Sequence, residues 1–292
     1  MVDSRNSGHG GLRSFTGGAV VIDEFDIDHN GIRIHCYEAG SGFPILFFHG
    51  SGAGVSIPSN FRRVLPDLAS DFRVLGQDLV GFGKSGLKPT QPFFDIELWV
   101  EQVIGAIDHF GLERAALVGH SLAGPIVLKA ASRDQRVAAV FTTGTMGTTS
   151  AFVANGPRWR VPESRAAVQS SVERTMYDPS LATDDEVERR LAVLESPGYA
   201  EYFATMFAGD ADNYVDGSAL SDADLARVAC PVVLFHGRSD RSFQPNETSI
   251  PLGERLPNAD VVVLSRCAHS VAHERPEVFT SVVRSVLRNL VP

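Results

Sequence analysis

Cysteine is scarce in this sequence of 292 residues, and long apolar runs are missing. The three cysteines, Cys36, Cys230 and Cys267, are far apart and show neither a C-x-x-C pair nor metal-ligand spacing. We therefore expect free thiols in a reducing cytoplasm, with no metal site and no cofactor. No segment reaches the ~18 consecutive apolar residues that a membrane-spanning helix needs. The small number of cysteines excludes a domain stabilised by several disulfides, and the lack of a long apolar run excludes a transmembrane helix.

Positive charge is in the minority, with 26 lysines and arginines against 35 acidic residues and a net charge of -9. This balance disfavours nucleic acid and anionic membranes as partners. We expect a small-molecule substrate instead. The first 18 residues are rich in glycine, serine and charge, and they lack the apolar region of a signal peptide. We expect a flexible N-terminal tail over residues 1–18.

Short apolar runs alternate with helical patterns along most of the chain. An Asn30-Gly31 turn between two polar-apolar segments predicts a β-hairpin near the start. Strands of a parallel sheet are predicted at residues 45–48, where the apolar run fits burial on both faces, and at residues 72–75, 115–118, 137–142, 232–235 and 261–264. Helices are predicted at residues 99–110, 126–130 and 276–290. Together they predict an α/β fold with a mostly parallel, doubly wound sheet.

Residues 144–228 break this alternation. The segment has no buried-strand run, but it has helical patterns, charge clusters and many aromatic residues. We interpret it as a helical cap inserted into a core domain formed by residues 19–143 and 229–292. Such a cap would lie over the carboxyl ends of the strands, where open α/β sheets bind their ligands.

A serine stands at the junction of a predicted strand and a predicted helix. The segment is Gly119-His120-Ser121-Leu122-Ala123, between an apolar run and a helical pattern. This arrangement is typical of a nucleophile elbow, in which a strained turn requires small neighbours. Alanine stands at position 123, where the elbow pattern has glycine. A serine that only caps the N-terminus of a helix would have the same sequence around it, so other residues must support the assignment of a nucleophile elbow.

Serine needs a base and an orienting acid before it can act as a nucleophile. His269 follows the strand predicted at 261–264, and Asp240 follows the strand predicted at 232–235. Both would lie at the same carboxyl edge as Ser121, and the chain order Ser, Asp, His matches that of α/β hydrolases. The alternatives are His273 for the base and Asp78, Asp216, Asp222 and Asp224 for the acid.

An oxyanion hole would complete this site. The backbone N–H of Leu122 is one expected donor, and that of Ser51 or Gly52, in the glycine-rich loop after residues 45–48, is the other. Removing one such donor costs ~3 kcal/mol of transition-state stabilisation. The loop has no Walker lysine, so a phosphate cradle is disfavoured. These residues together predict the α/β-hydrolase fold.

Several motifs resemble those of the meta-cleavage product hydrolases, over about residues 24–290. They are His49-Gly50-Ser51-Gly52-Ala53-Gly54, Asn60-Phe61-Arg62, residues 78–85, 186–190, 197–198 and 203–207, Gly237-Arg238-Ser239-Asp240-Arg241 and Cys267-Ala268-His269. The resemblance implies hydrolysis of a carbon–carbon bond in a 2-hydroxy-6-oxohexa-2,4-dienoate-type ring-fission product. The implied products are a 2-hydroxypentadienoate and a carboxylic acid, and the implied assembly is a homodimer or larger homo-oligomer.

The same resemblance implies the substrate-binding residues. Arg190 would bind the substrate carboxylate, with Arg189 as the alternative, and Asn60 would lie at the dienoate end. A guanidinium suits this role because it binds a carboxylate through two hydrogen bonds. His120 and Ser270 replace the family's asparagine and tryptophan beside the nucleophile and the base, and we expect both to contact substrate.

These two replacements favour an alternative function, a carboxylesterase or lactonase that acts on a small apolar ester. A ligand-binding, receptor-like protein on a hydrolase scaffold is a third hypothesis, which an intact triad disfavours.

Overall fold

The computed structural model describes residues 13–17, 20–149 and 159–290. Nine described strands form one sheet. They are β1 (Arg13–Gly17), β2 (Val20–His29), β3 (Ile32–Ala39), β4 (Pro44–Phe48), β5 (Arg73–Gln77), β6 (Ala115–His120), β7 (Val137–Thr143), β8 (Val232–Gly237) and β9 (Ala259–Leu264). Their order is β1-β2-β3-β5-β4-β6-β7-β8-β9. Strands β4 to β9 run parallel to one another, and β3 pairs antiparallel with β5. The predicted mostly parallel sheet is confirmed.

The prediction of a flexible tail over residues 1–18 is wrong for residues 13–17. These residues form β1, which pairs antiparallel with β2 from Arg13 opposite Glu24 to Gly17 opposite Val20. The physical reason is that the outer edge of β2 offers unpaired N–H and C=O groups to a further strand. The rest of the expected tail, residues 1–12 and 18, lies outside the described residues.

The predicted hairpin is formed by β2 and β3, which pair antiparallel up to His29 opposite Ile32. Asn30 and Gly31 both have positive φ, 53° and 81°. Two successive residues with positive φ are the requirement of a type I′ turn, which explains the Asn-Gly sequence. The Gly31 N–H also donates to Asp28 Oδ1 at 3.0 Å.

Thirteen helical segments are described, four of them before β7. These four are α1 (Ile57–Phe61), α2 (Leu65–Leu68), α3 (Ile96–His109) and α4 (Ala123–Ala131). Between β7 and β8 come α5 (Arg165–Glu173), a 3₁₀ turn (Pro179–Leu181), α6 (Asp184–Leu194), α7 (Tyr199–Met206), α8 (Ala211–Gly217) and α9 (Asp222–Ala226). After β8 come α10 (Ser249–Arg255), α11 (Val271–Glu274) and α12 (Pro276–Arg288). In the described part of the chain, no helix has the length and apolarity to cross a membrane.

Helices cover both faces of the sheet, because alternate residues of a strand point to opposite sides. Leu46 and Phe48 of β4 pack in one apolar core with α3 and α4. Ile45 and Phe47 pack in a second core with α1, α2 and α12. Burial on both faces explains why the sequence of this strand is a continuous apolar run.

The helices between β7 and β8 fall within the predicted cap, residues 144–228. Most of its aromatic residues pack together; Phe203 and Phe207 contact Phe82 of the loop after β5. Phe152, another aromatic residue of this segment, lies outside the described residues. The division into core and cap domains stays a prediction.

The order of the strands reverses at β4, which pairs with β5 on one side and with β6 on the other. The carboxyl ends of β4 and β6 therefore flank the topological switch point, where open α/β sheets form their binding crevice. The glycine-rich loop follows β4, and Ser121 follows β6.

Candidate active site

Ser121 occupies a sharp corner between β6 and α4. Its φ is +54°, a left-handed conformation that costs a residue with a side chain roughly 1–2 kcal/mol. The Ser121 N–H donates to the Thr143 carbonyl at 2.9 Å, and its own carbonyl accepts from Gly124 N–H at 3.0 Å. These bonds hold the strained residue in place, as a nucleophile elbow requires.

The small residues around this corner have specific neighbours. A Cβ added to Gly119 would lie 2.4 Å from the carbonyl oxygen of Ala123. A Cβ added to Gly124 would lie 1.9 Å from Oγ1 of Thr145. The elbow therefore accommodates alanine at position 123, while its close contacts require glycine at positions 119 and 124.

His269 and Asp240 form a hydrogen-bonded pair, with 2.8 Å between His269 Nδ1 and Asp240 Oδ2. Burial alone would raise the pKa of Asp240, but charge interaction with His269 and hydrogen bonds from His236 and His269 hold it well below its usual value. An ionised Asp240 only accepts, so Nδ1 of His269 carries the proton and Nε2 is left to take one. This is the tautomer that a general base needs.

The other oxygen of Asp240 accepts from two backbone N–H groups, those of Ser242 at 2.7 Å and Phe243 at 3.2 Å. A second imidazole, His236, is fully buried and places Nε2 at 3.1 Å from Asp240 Oδ2 and 2.8 Å from the Phe243 carbonyl. A carbonyl can only accept, so His236 Nε2 carries a proton. Sequence reasoning missed this residue, although it lies on the strand that leads to the acid.

The alternative base and acids are placed elsewhere. His273 does not line the cavity at Ser121, and burial followed by the charge of Arg62 lowers the pKa of His273 to about 4. Asp78 anchors loops instead, since its carboxylate accepts the N–H groups of Ile57 and Lys84, both at 2.8 Å. The three remaining alternatives lie on α8 and α9 and do not line the cavity: Asp216, Asp222 and Asp224.

One cavity of about 870 Å³ brings most of the predicted site residues together. Those that line it are Ser51, Gly52, Asn60, His120, Ser121, Arg190, His269 and Ser270. Leu122 is fully buried as the N-cap residue of α4 and does not line the cavity. Among the described residues there is no group of three or more histidine, cysteine and acidic side chains that could hold a metal ion.

Side chains on both sides of this cavity form hydrogen bonds with the glycine-rich loop. Gly50 N–H donates to Asn60 Oδ1 at 3.0 Å, and Gly54 N–H donates to the Tyr199 hydroxyl at 3.1 Å. Ser51 Oγ accepts from the indole N–H of Trp159 at 2.8 Å. Asn60 and Trp159 therefore fix the loop that is expected to supply an oxyanion donor. The indole contact could not be inferred from sequence, because Trp159 is 108 residues away from Ser51.

Arg190, rather than Arg189, lines the cavity. The Arg190 side chain is buried, and its Nε donates to Glu186 Oε1 at 3.0 Å. Glu186 also accepts from Arg62 at 2.6 Å, and Arg189 Nε lies 3.7 Å from it, so one carboxylate is shared among three guanidinium groups. A Cβ built on Gly52 would lie 3.6 Å from Nη1 of Arg190, which places this cation beside the glycine-rich loop.

The charged side chains that line the cavity are all arginines. They are Arg160, Arg174, Arg190 and Arg241, and no aspartate or glutamate lines it among the described residues. A cavity with cationic walls and no acidic ones favours an anionic ligand.

The two replaced positions also lie in this cavity. His120 Nδ1 lies 3.0 Å from the Thr143 carbonyl, and the rings of His120 and His269 are 4.7 Å apart. Burial, followed by the charge of His269, holds the pKa of His120 well below its usual value, so the ring is neutral. The Ser270 hydroxyl donates to Thr175 Oγ1 at 3.2 Å.

Comparison with known proteins gives consistent results. Residues 44–276 match the family described as the alpha/beta hydrolase fold. The 2-hydroxymuconate semialdehyde hydrolase of Pseudomonas sp. (strain CF600) is 32% identical over 259 residues, covering 88% of this chain and 91% of that protein. The 2-hydroxy-6-oxo-2,4-heptadienoate hydrolase of Pseudomonas putida is 33% identical over 260 residues, covering 88% and 93%.

A solved structure agrees with these relatives. The meta-cleavage product hydrolase from Pseudomonas fluorescens IP01, a mutant complexed with acetates, aligns with a TM-score of 0.84 at 29% identity, covering 90% of this chain and 97% of that one. The fold and the resemblance predicted from the sequence are thereby confirmed: the chain belongs to the α/β hydrolase fold family, among the meta-cleavage product hydrolases.

Proposed function

We propose that this protein is a serine-dependent hydrolase that cleaves a carbon–carbon bond in a 2-hydroxy-6-oxohexa-2,4-dienoate-type ring-fission product. The observation that carries the proposal is the presence of buried Arg190 in the same cavity as Ser121 and His269. The substrate class combines a carboxylate at one end with a ketone or aldehyde carbonyl at the other. Relatives named for the hydrolysis of 2-hydroxymuconate semialdehyde and a 2-hydroxy-6-oxo-2,4-heptadienoate support the same class.

In the proposed complex, Arg190 binds the substrate carboxylate and Asn60 lies near the dienoate end. A guanidinium with its Nε on Glu186 still has Nη groups for a carboxylate. Asn60 uses Oδ1 on Gly50 N–H, which leaves its amide NH₂ as a donor. His120 and Ser270 contact the substrate between these groups and the reacting carbonyl.

The reaction begins with ketonisation of the dienol. Ser121 Oγ, or a water activated by His269, then attacks the distal carbonyl while His269 Nε2 accepts the proton. The N–H groups of Leu122 and of Ser51 or Gly52 stabilise the oxyanion, each donor contributing about 3 kcal/mol. The adjacent carbon–carbon bond breaks, and His269 returns the proton to the leaving carbon. In the serine route, water hydrolyses the acyl-enzyme and releases the carboxylic acid.

The test is to incubate the protein with a yellow dienoate ring-fission product and to follow the loss of colour. Ser121→Ala should lower turnover by roughly 10⁴-fold or more. Stable colour together with fast hydrolysis of a nitrophenyl ester would overturn carbon–carbon hydrolysis. That result would support the second candidate, a carboxylesterase or lactonase for a small apolar ester, which His120 and Ser270 in the cavity favour.

We further propose that the enzyme works in the cytoplasm as a homodimer or larger homo-oligomer and needs no cofactor. Cys36, Cys230 and Cys267 are free thiols, which suits a reducing compartment. Sedimentation or size-exclusion measurements with light scattering would test the assembly, and a monomeric mass at micromolar concentration would contradict it.

A further inference from the structure

The loop that carries His269 is hydrogen-bonded to the helical segment between β7 and β8. The backbone N–H groups of His269 and Ser270 both donate to the carbonyl of Thr175, at 3.0 and 3.1 Å. Thr175 lies just after α5, 94 and 95 positions away from these partners along the chain. The position of the base therefore depends on a segment outside the core strands.

A single carboxylate reinforces this contact. Glu274 Oε1 accepts from the N–H of Ala268 at 2.8 Å, and Glu274 Oε2 accepts from the N–H of Tyr177 at 2.6 Å. Ala268 directly precedes the base, and Tyr177 follows Thr175 by two residues. Glu274 thus links the base loop and the helical segment through one rigid group. Its side chain is half-buried, and it does not line the cavity at Ser121.

His269 is consequently held on two sides. Its ring is bound at Nδ1 by Asp240, and its backbone is bound by the clasp, which we define as Thr175, Tyr177, Ala268 and Glu274. A general base must reach the nucleophile at hydrogen-bond distance, and a displacement of ~1 Å can lower the rate about 100-fold. Asp240 fixes the direction of the ring, but it does not fix the main chain of the loop.

We infer that Glu274 is a positioning residue that acts through His269, by tying the main chain before the base to Tyr177. The inference rests on the proposed role of His269 as the base, but it makes no use of the identity of the substrate. It also implies that the segment from Thr175 to Tyr177 stays with the core while substrate enters.

The test compares three variants with the parent protein. Glu274→Ala removes both acceptors, and Glu274→Gln keeps one, because an amide has a single acceptor oxygen. Glu277→Gln is the matched control, since Glu277 lies three residues further on, is exposed and pairs with Arg275 at 3.2 Å. Two assays are run at a temperature where circular dichroism shows all variants to be folded. One gives kcat and KM with a dienoate, and the other gives the rate at which an organophosphonate reagent labels Ser121.

For Glu274→Ala we expect kcat and the labelling rate to fall together by roughly 10- to 100-fold, with KM changed less than about twofold. Glu274→Gln should give an intermediate loss, and Glu277→Gln none.

Parent-like labelling in folded Glu274→Ala would overturn the inference, and so would a loss confined to KM. If Glu274→Ala does not fold, Glu274→Gln decides by the same criteria. A parent protein that is labelled at Ser121 but leaves the dienoate intact would overturn the proposed function alone, because the labelling rates would still test Glu274.

Discussion

At the scale of single residues, Arg190 is a buried cation, and its acidic partner, Glu186, also pairs with Arg62. Glu186 accepts from both Arg190 and Arg62, so this carboxylate neutralises only part of the local positive charge. A buried guanidinium whose countercharge is divided retains a strong preference for an additional anion. This arrangement suits a residue that must be stable without substrate and still bind a carboxylate.

Arg190→Gln should therefore raise KM for a dienoate by roughly 10- to 100-fold, because a hydrogen bond between charged groups contributes about 1.5–3 kcal/mol. Hydrolysis of a neutral nitrophenyl ester should be nearly unchanged. Arg189→Gln is the matched control, since Arg189 pairs with Asp185 and lies 3.7 Å from the same Glu186, but does not line the cavity. Equal losses with both substrates would show that Arg190 has a structural role only.

Single residues also show what the sequence could predict. Ser121, Asp240 and His269 each follow a parallel strand of the sheet, so topology alone brings them to one edge of it. The contacts of Trp159 with Ser51 and of Glu274 with Tyr177 join segments about 100 positions apart. They depend on how the helices between β7 and β8 pack on the core, and no local pattern records that packing.

At the scale of elements, the elbow depends on the close approach of α4 to the segment after β7. Gly124→Ala would place a methyl group against Thr145, and overpacking of this kind costs about 1–3 kcal/mol. We expect a lower free energy of unfolding in urea together with reduced activity. Ala123→Gly is the comparison at the neighbouring position; it introduces no clash, but it removes a buried methyl group (~0.8 kcal/mol) and lowers helix propensity by about 1 kcal/mol or less. A larger loss for Ala123→Gly than for Gly124→Ala would contradict this account.

A buried histidine on β3 hydrogen-bonds to two carboxylates on β2 and so joins the strands of the hairpin. His35 places Nδ1 at 2.7 Å from Asp26 and Nε2 at 2.8 Å from Glu24. Burial alone would lower the pKa of His35, but the hydrogen bond to Glu24, the charge of Asp78 and the hydrogen bond to Asp26 outweigh it and raise the pKa. Because the folded-state pKa is raised, the stabilisation is fully present below the unfolded value of about 6.5 and is lost as pH rises through the folded value.

His35→Gln should consequently reduce the free energy of unfolding more at about pH 6 than at about pH 9. Urea unfolding at both pH values measures this difference. His109→Gln, at an exposed histidine in the last turn of α3, is measured in the same way as the comparison. If the loss for His35→Gln were the same at both pH values, the imidazole would have no charge-dependent role in the hairpin.

At the scale of the whole molecule, the sheet and the helical insertion together create one cavity with an unusual charge. The protein as a whole carries a formal charge of -9, yet the charged residues that line the cavity are four arginines. The two effects oppose each other for an anionic substrate. The distant acidic groups repel it, while the arginines near the cavity attract it.

Salt separates these two contributions, because the Debye length is about 10 Å at 0.1 M and falls as ionic strength rises. If attraction by the arginines dominates, kcat/KM for a dienoate should fall several-fold between about 20 mM and about 500 mM sodium chloride, with kcat nearly constant. If repulsion by the net charge dominates, kcat/KM should rise instead. We expect the fall, since the arginines line the path that the substrate must take and the repelling charges are spread over the surface. A neutral nitrophenyl ester measured under the same conditions should show neither trend, which assigns the change to the charge of the substrate.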